Sequence, residues 1–182
     1  MAKWVYQLTY MEEALAARIG YARQEPMLGQ PWRNRNYSEG EFEHVWQHML
    51  CAGSEIAAAR MFGMDDFVPH VNTFKERIDI PGYEIRYSYT HKTGPKYALR
   101  FKDKLDDPNE IYVLIVGGPE FVTRRTEEND WKGPAYRAIG WMYGYECVQE
   151  KYKVSYGENN YSVPASEIHD MSTLPERVAV DA

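Results

Sequence analysis

The chain has 182 residues, 44% of them hydrophobic and 26% charged, the profile of one ordinary globular domain with room for a real core. A formal net charge of −6 argues against nucleic-acid binding by bulk charge alone, while leaving open an enzyme on nucleic acid whose own site is acidic. No run of eighteen apolar residues and no basic-then-apolar leader occurs, so neither a membrane span nor a signal peptide is expected.

In chain order, MEEALAARIGYARQE (11–25) predicts a first helix, with two acids in its opening turn to complement the helix dipole. A connection rich in Pro, Gly and Asn follows, PMLGQPWRNRNYSEG. Ser38 is placed to cap a long second helix, with Glu41 completing a capping box, and Gly63 ends that helix near Phe62. One stripe of this helix, Phe42, Val45, Trp46, Met49, Gly53, Ile56 and Ala57, is its expected core contact. A second stripe, His48, Ala52, Glu55, Ala59 and Phe62, sets Glu55 among small side chains. A carboxylate there is either exposed or pointed at something cationic.

Strand-like segments come next: HVNTF, RIDI, YEIRYSY, YALRF and IYVLIVGG. The last is a continuous apolar run bounded by glycines, as in a central strand covered on both faces. LDDPNE and RRTEENDWKGP read as loops, YRAIGWMYGYE as a strand with a short following element, and the end of the chain as a short helix after Pro164. Helix first and strands after indicate a mixed α/β or α+β sandwich.

The stretch RIDIPGYEIRY (77–87) carries the sharpest signal. If Pro81-Gly82 is a two-residue hairpin loop, Ile80 faces Tyr83 and Asp79 faces Glu84. Opposed carboxylates repel and destabilise a sheet. A divalent ion makes them favourable, because each supplies oxygen ligands to a hard cation. Asp79 and Glu84 would then be ligands, Glu55 a third ligand or an outer partner, and Arg86 a phosphate contact or a partner for charge developing during hydrolysis. Three acids and a base converging on a metal suffice for assisted phosphodiester hydrolysis. The competing reading is a surface hairpin whose acids pair with Lys75, Arg77, Arg86 or Lys92.

The other signals are weaker. His44 and His48 in HVWQH stand four apart, a zinc-compatible spacing, but lack a third ligand, so they read as ordinary polar-face histidines. His48 alternatively lines the acidic site as a phosphate contact. Cys51 and Cys147 have no metal-finger spacing and read as small buried hydrophobes in a reducing cytoplasm. Arg124, Arg125 and Lys132 sit on a charged loop that fits either a nucleic-acid backbone or solvent. The fifteen tyrosines fit core and strand packing before base stacking.

The blocks GSEIAAARMFG, VNTFKERIDIPGYEIRY, DDPNEIYVLIVGG, YRAIGWMYGYE and YSVPASEIHDM, in that order, resemble a group of uncharacterised phage-type proteins, themselves similar to the PD-(D/E)XK nuclease superfamily. The resemblance spans roughly residues 48–175. It implies an α/β, restriction-endonuclease-like fold with a mixed sheet flanked by helices over residues 38–182, and an added helix within residues 1–37. It matches Glu55 to the helical acid, Asp79 to the motif Asp and Glu84 to the second acid, with Mg2+ or Mn2+ as cofactor. Arg86 stands where the superfamily has lysine. An arginine is permanently charged and cannot serve as a base, so Lys92, Lys96 or Lys102 would have to reach in, or the site binds without cutting. The resemblance implies a nuclease acting on DNA more than RNA, in the cytoplasm of a phage-infected cell. The alternative is a non-catalytic accessory or structural protein that binds nucleic acid, a protein partner or copies of itself.

Overall fold

The computed structural model describes residues 3–27, 41–71, 79–89, 97–102, 108–117, 134–154 and 160–175. In order these form β1 (Val5–Gln7), α1 (Tyr10–Gln24), α2 (Glu41–Met61), β2 (Tyr83–Tyr89), β3 (Ala98–Lys102), β4 (Ile111–Gly117), β5 (Ala135–Tyr143), α3 (Gly144–Cys147) and β6 (Asn160–Pro164). The architecture is mixed α/β. A four-stranded mixed sheet runs β1-β5-β4-β2, with β2 and β4 parallel and the other pairs antiparallel. β3 and β6 form a separate antiparallel pair.

β4 organises the layers. All seven of its residues are buried, as its unbroken apolar run predicts. Ile111, Val113 and Ile115 enter the core beneath α1 and α2, while Tyr112, Leu114 and Val116 enter a second core beneath β3 and β6. β5 follows the same alternation until its register with β4 slips between Leu114 and Ile115. That bulge moves the helix-facing set from Tyr136 and Ala138 to Trp141 and Tyr143.

The first helix is present one residue earlier than its sequence signal. Thr9 and Glu12 form a reciprocal capping box at its start. It does not stand apart from the core: Leu8, Ala16 and Ile19 are buried with α2, and β1 is hydrogen-bonded along β5. Gly20 permits the close seating of α1 on α2, since a Cβ there would lie 2.5 Å from the Met49 backbone nitrogen.

α2 ends as its glycine predicts. The Met64 N–H donates to the Ala59 carbonyl at 2.8 Å, the Gly63 N–H to Arg60 at 3.1 Å, and Gly63 has a φ of 79°. Its expected core stripe is only half right. Gly53, Ile56 and Ala57 are buried, but Val45 and Met49 are half-buried and Trp46 is 44% exposed. The burial belongs to the helix's C-terminal half, where residues 52–59 are enclosed on every side by α1 and the sheet. Ser38 and the side chain of Phe42 lie outside the described residues.

The helix expected after Pro164 is replaced by turns and one 3-10 turn, Met171–Thr173. Here backbone pairing wins: His169 and Trp141 exchange N–H···O bonds at 3.0 and 2.9 Å, which holds this segment extended against β5. His70 and Val71 of HVNTF are not in a strand, and residues 72–78 lie outside the described part. Among the described residues no helix is long and apolar enough to cross a membrane.

Candidate active site

The hairpin forms where the sequence puts it. Ile80 and Tyr83 exchange backbone bonds at 3.2 and 3.0 Å across Pro81-Gly82, and Gly82 has a φ of 85°. Proline fixes the first turn position and glycine supplies the positive φ that a type II turn needs at the second. The turn directs Asp79 onto the outer side of β2, where its Oδ2 accepts the Ile85 N–H at 2.9 Å.

Glu84 and Arg86 project from the face of β2 that carries Tyr112 and Leu114 on β4, given the register Glu84 with Tyr112 and Arg86 with Leu114. Asp79 and Glu84 converge on one guanidinium nitrogen, Arg86 Nη1, which lies within 4 Å of a carboxylate oxygen of each. The Glu84 carboxyl is pushed up to about 9, first by burial, then by its bond to Asp79 and that residue's charge, with Glu110 adding and Arg86 opposing. The shift favours the protonated form of the Glu84 carboxyl at neutral pH.

Arg86 is a loose partner. Its Nη1 is 3.5 Å from Glu84 Oε2 and 3.9 Å from Asp79 Oδ2, and its side chain is 37% exposed. Its guanidinium lies 5.1 Å from the Tyr112 ring centroid, a cation–π distance. Tyr112 donates to Glu110 Oε2 at 2.9 Å. Burial, followed by that bond, raises its hydroxyl above the ordinary value.

Glu55 meets a different cation. Arg23 of α1, one turn beyond Gly20, donates from Nη1 to Oε1 at 2.7 Å and from Nη2 to Oε2 at 2.8 Å. Its Nε donates to the His70 carbonyl at 2.8 Å. Both side chains are almost sealed from solvent. Burial pushes Glu55 up to about 7, and the bonds and charge of Arg23 pull against it. Burial also works to lower Arg23, but the bonds to Glu55 outweigh it and leave the guanidinium above its ordinary value. The two responses favour opposite states of the carboxyl, and the geometry decides between them. A guanidinium has no acceptor, so a protonated Glu55 would forfeit one of the two bonds; we read the pair as ionic.

The structure thus brings Asp79, Glu84 and Arg86 together and holds Glu55 in a separate pair with Arg23, within electrostatic range of Asp79. Among the described residues no three His, Cys, Asp or Glu side chains are gathered as a metal-binding set. His48 is half-buried on α2, its imidazole lowered by burial and by the charges of Arg23 and His44. Lys102 lies in β3, its backbone in register with Asn160. Lys92, Lys96, Lys75, Arg77, Arg124, Arg125 and Lys132 fall outside the described residues. Cys51 is half-buried rather than buried as expected, with its thiol pushed up to about 12 by burial and by Glu55. Cys147 is buried and its thiol is likewise pushed up to about 12 by burial.

Sequence reasoning missed Arg23, Glu110 and Tyr112. For Arg23 a signal existed: a glycine that allows helix contact, with an arginine one turn later, answers a helical acid among small residues. Comparison of the chain with protein-family models, curated proteins and solved structures finds no match.

Proposed function

We propose that the chain is a metal-dependent, nuclease-like protein on a restriction-endonuclease-like fold, hydrolysing DNA phosphodiester bonds in the cytoplasm of a phage-infected cell. The observation that carries this reading is the convergence of Asp79 and Glu84 at the start of β2, with the half-exposed Arg86 beside them. Two carboxylates gathered at one loosely held guanidinium, one of them raised by burial and by the other's charge, are a site short of positive charge. A Mg2+ or Mn2+ ion fits that deficit, because Mg2+ is commonly held by one or two carboxylates with waters and substrate phosphates completing the shell. Asp79 and Glu84 would hold it, and the bound ion would polarise the phosphate and acidify a coordinated water. Arg86, which grips its acids only loosely, is free to turn toward a phosphate oxygen and to stabilise the charge that develops there. His48, Lys92, Lys96 and Lys102 are the further phosphate contacts this reading names.

A second reading has its own support. Both oxygens of Glu55 are taken by Arg23, and Arg86 cannot act as a base. Those two features favour a binding protein on a degenerate nuclease fold, whose ligand is nucleic acid, another protein or a second copy of itself. Calorimetric titration of Mg2+ and Mn2+ into the wild type and Glu84→Ala, with plasmid and oligonucleotide cleavage on the same samples, separates the two. Binding that vanishes with Glu84, together with cutting that EDTA abolishes, supports the nuclease. Binding without cutting favours the second reading. No binding in the folded wild type removes the catalytic reading.

A further inference from the structure

Tyr145, the second residue of α3, is 55% exposed, yet its ring is held in place. It stacks on Tyr143, with centroids 5.4 Å apart and planes 15° from parallel. The buried Trp141 meets Tyr143 edge-on at 5.2 Å and braces the inner ring. The backbone beneath the stack is pinned as well. The Tyr145 N–H donates to the Pro108 carbonyl at 2.8 Å, and the Gly144 N–H to the Glu110 carbonyl at 2.9 Å. Glu146 accepts the Tyr143 N–H at 3.0 Å and lies 3.0 Å from His169 Nε2. Among the described residues no second ring stacks on Tyr145. The result is a flat aromatic surface, rigid from behind and open to solvent.

The sheet register places this surface near the acid pair. Tyr143 on β5 and Tyr83 on β2 both stand in register with Ile111 of β4. At the usual strand spacing their backbones are roughly 10 Å apart. Glu84 follows Tyr83 directly and Asp79 precedes it across the turn, so the stack and the acids share one end of the sheet. The segments around the stack carry Glu110 and Glu146, charges that repel a phosphate and leave the ring suited to the uncharged part of a nucleotide. A base offers a flat π face, and stacking on an aromatic side chain tolerates any base. Within a duplex that face is covered by neighbouring bases, so only an unpaired base can use the ring.

We propose that Tyr145 is the stacking platform for an unpaired base of the substrate strand, so that the acid pair acts on single-stranded DNA or a frayed end and not on an intact duplex. This rests on the nuclease-like reading. The phosphate belongs to the ion at Asp79 and Glu84 and to Arg86, and a base of the same strand lies on the Tyr143–Tyr145 stack.

The test uses the full chain in Mn2+ and a single-stranded, phosphorothioate-linked oligonucleotide carrying 2-aminopurine, whose fluorescence falls when the base stacks. The wild type should quench the probe on binding. Tyr145→Leu should abolish the quench and weaken binding about fivefold or more, while Tyr145→Phe keeps both within about twofold. Tyr21→Leu, which removes a comparably exposed tyrosine on α1, should behave as wild type. A fully paired duplex of the same sequence should bind more weakly than the single strand. Unchanged quench and affinity in Tyr145→Leu, or a duplex that binds as tightly as the single strand, would overturn the inference and leave the nuclease-like reading standing. So would a wild type that binds Mn2+ but no oligonucleotide strand. A folded wild type that binds neither Mn2+ nor DNA overturns the nuclease-like reading, and the inference with it.

Discussion

Replacing Glu84 by glutamine keeps the shape of a protonated carboxyl and removes its titration. In the fold this carboxyl is pushed up to about 9 by burial and by Asp79, whereas an ordinary glutamate titrates near 4.5. At neutral pH folding must therefore return a proton to Glu84. Each pH unit between the two values costs about 1.4 kcal/mol, which sets a ceiling of roughly 3 kcal/mol at pH 7. The side chain keeps some contact with solvent and with Arg86, so we expect about 1–2 kcal/mol. The sign is that of a carboxyl raised in the folded state: its contribution is complete below pH 4.5 and is lost as the pH climbs toward about 9. Glutamine is exempt from that loss. Glu84→Gln should match the wild type at about pH 4.5 and pull ahead of it steadily up to about pH 8. Urea unfolding followed by circular dichroism, in EDTA across that range, measures the difference. A gap that does not change with pH, or a variant less stable at every pH, would refute the raised Glu84 carboxyl. Added Mg2+ should stabilise the wild type and leave the variant unchanged.

Two further outcomes follow from neighbouring features. Arg23→Leu strands Glu55 without its partner in a buried site and should cost about 3–5 kcal/mol in chemical denaturation. Adding Glu55→Leu should recover most of that, and a loss below about 1 kcal/mol in the single variant would mean the pair is not sealed from water. Gly82→Val forces a β-branched residue to a φ of 85°. It should lower stability by about 1–2 kcal/mol in thermal melts and, by shifting Asp79, weaken Mn2+ binding. An unchanged melting curve would show that the turn does not depend on that glycine.

The features legible in the sequence are those set by local chemistry. The Pro81-Gly82 turn, the pairing of Ile80 with Tyr83, the glycine stop of α2 and the doubly covered β4 follow from residue type and period alone. Asp79 and Glu84 were likewise brought together by the turn that separates them. What sequence reasoning missed depends on elements far apart in the chain. Arg23 reaches Glu55 across 32 positions because Gly20 lets two helices close, and no periodicity records that. Trp46 shares a stripe with Ile56, yet only the C-terminal half of α2 is covered, so one stripe has two fates. The segment after Pro164 carries helix signals that lose to a strand edge at Trp141, a partner more than twenty positions earlier.

The seating of β1 beside β5 has a consequence for synthesis. Val5 pairs with Arg137, so β1 is translated 132 positions ahead of its partner. At roughly 5–20 residues per second that is a wait on the order of ten seconds. α1 and α2 are made early and can meet at once through Arg23, Glu55 and Gly20, but the sheet that covers the enclosed face of α2 arrives only with β4 and β5. Over that interval the nascent chain carries an apolar helix face without its floor. Slower translation of residues 62–134 should therefore lengthen the time this chain is open to chaperones and to aggregation.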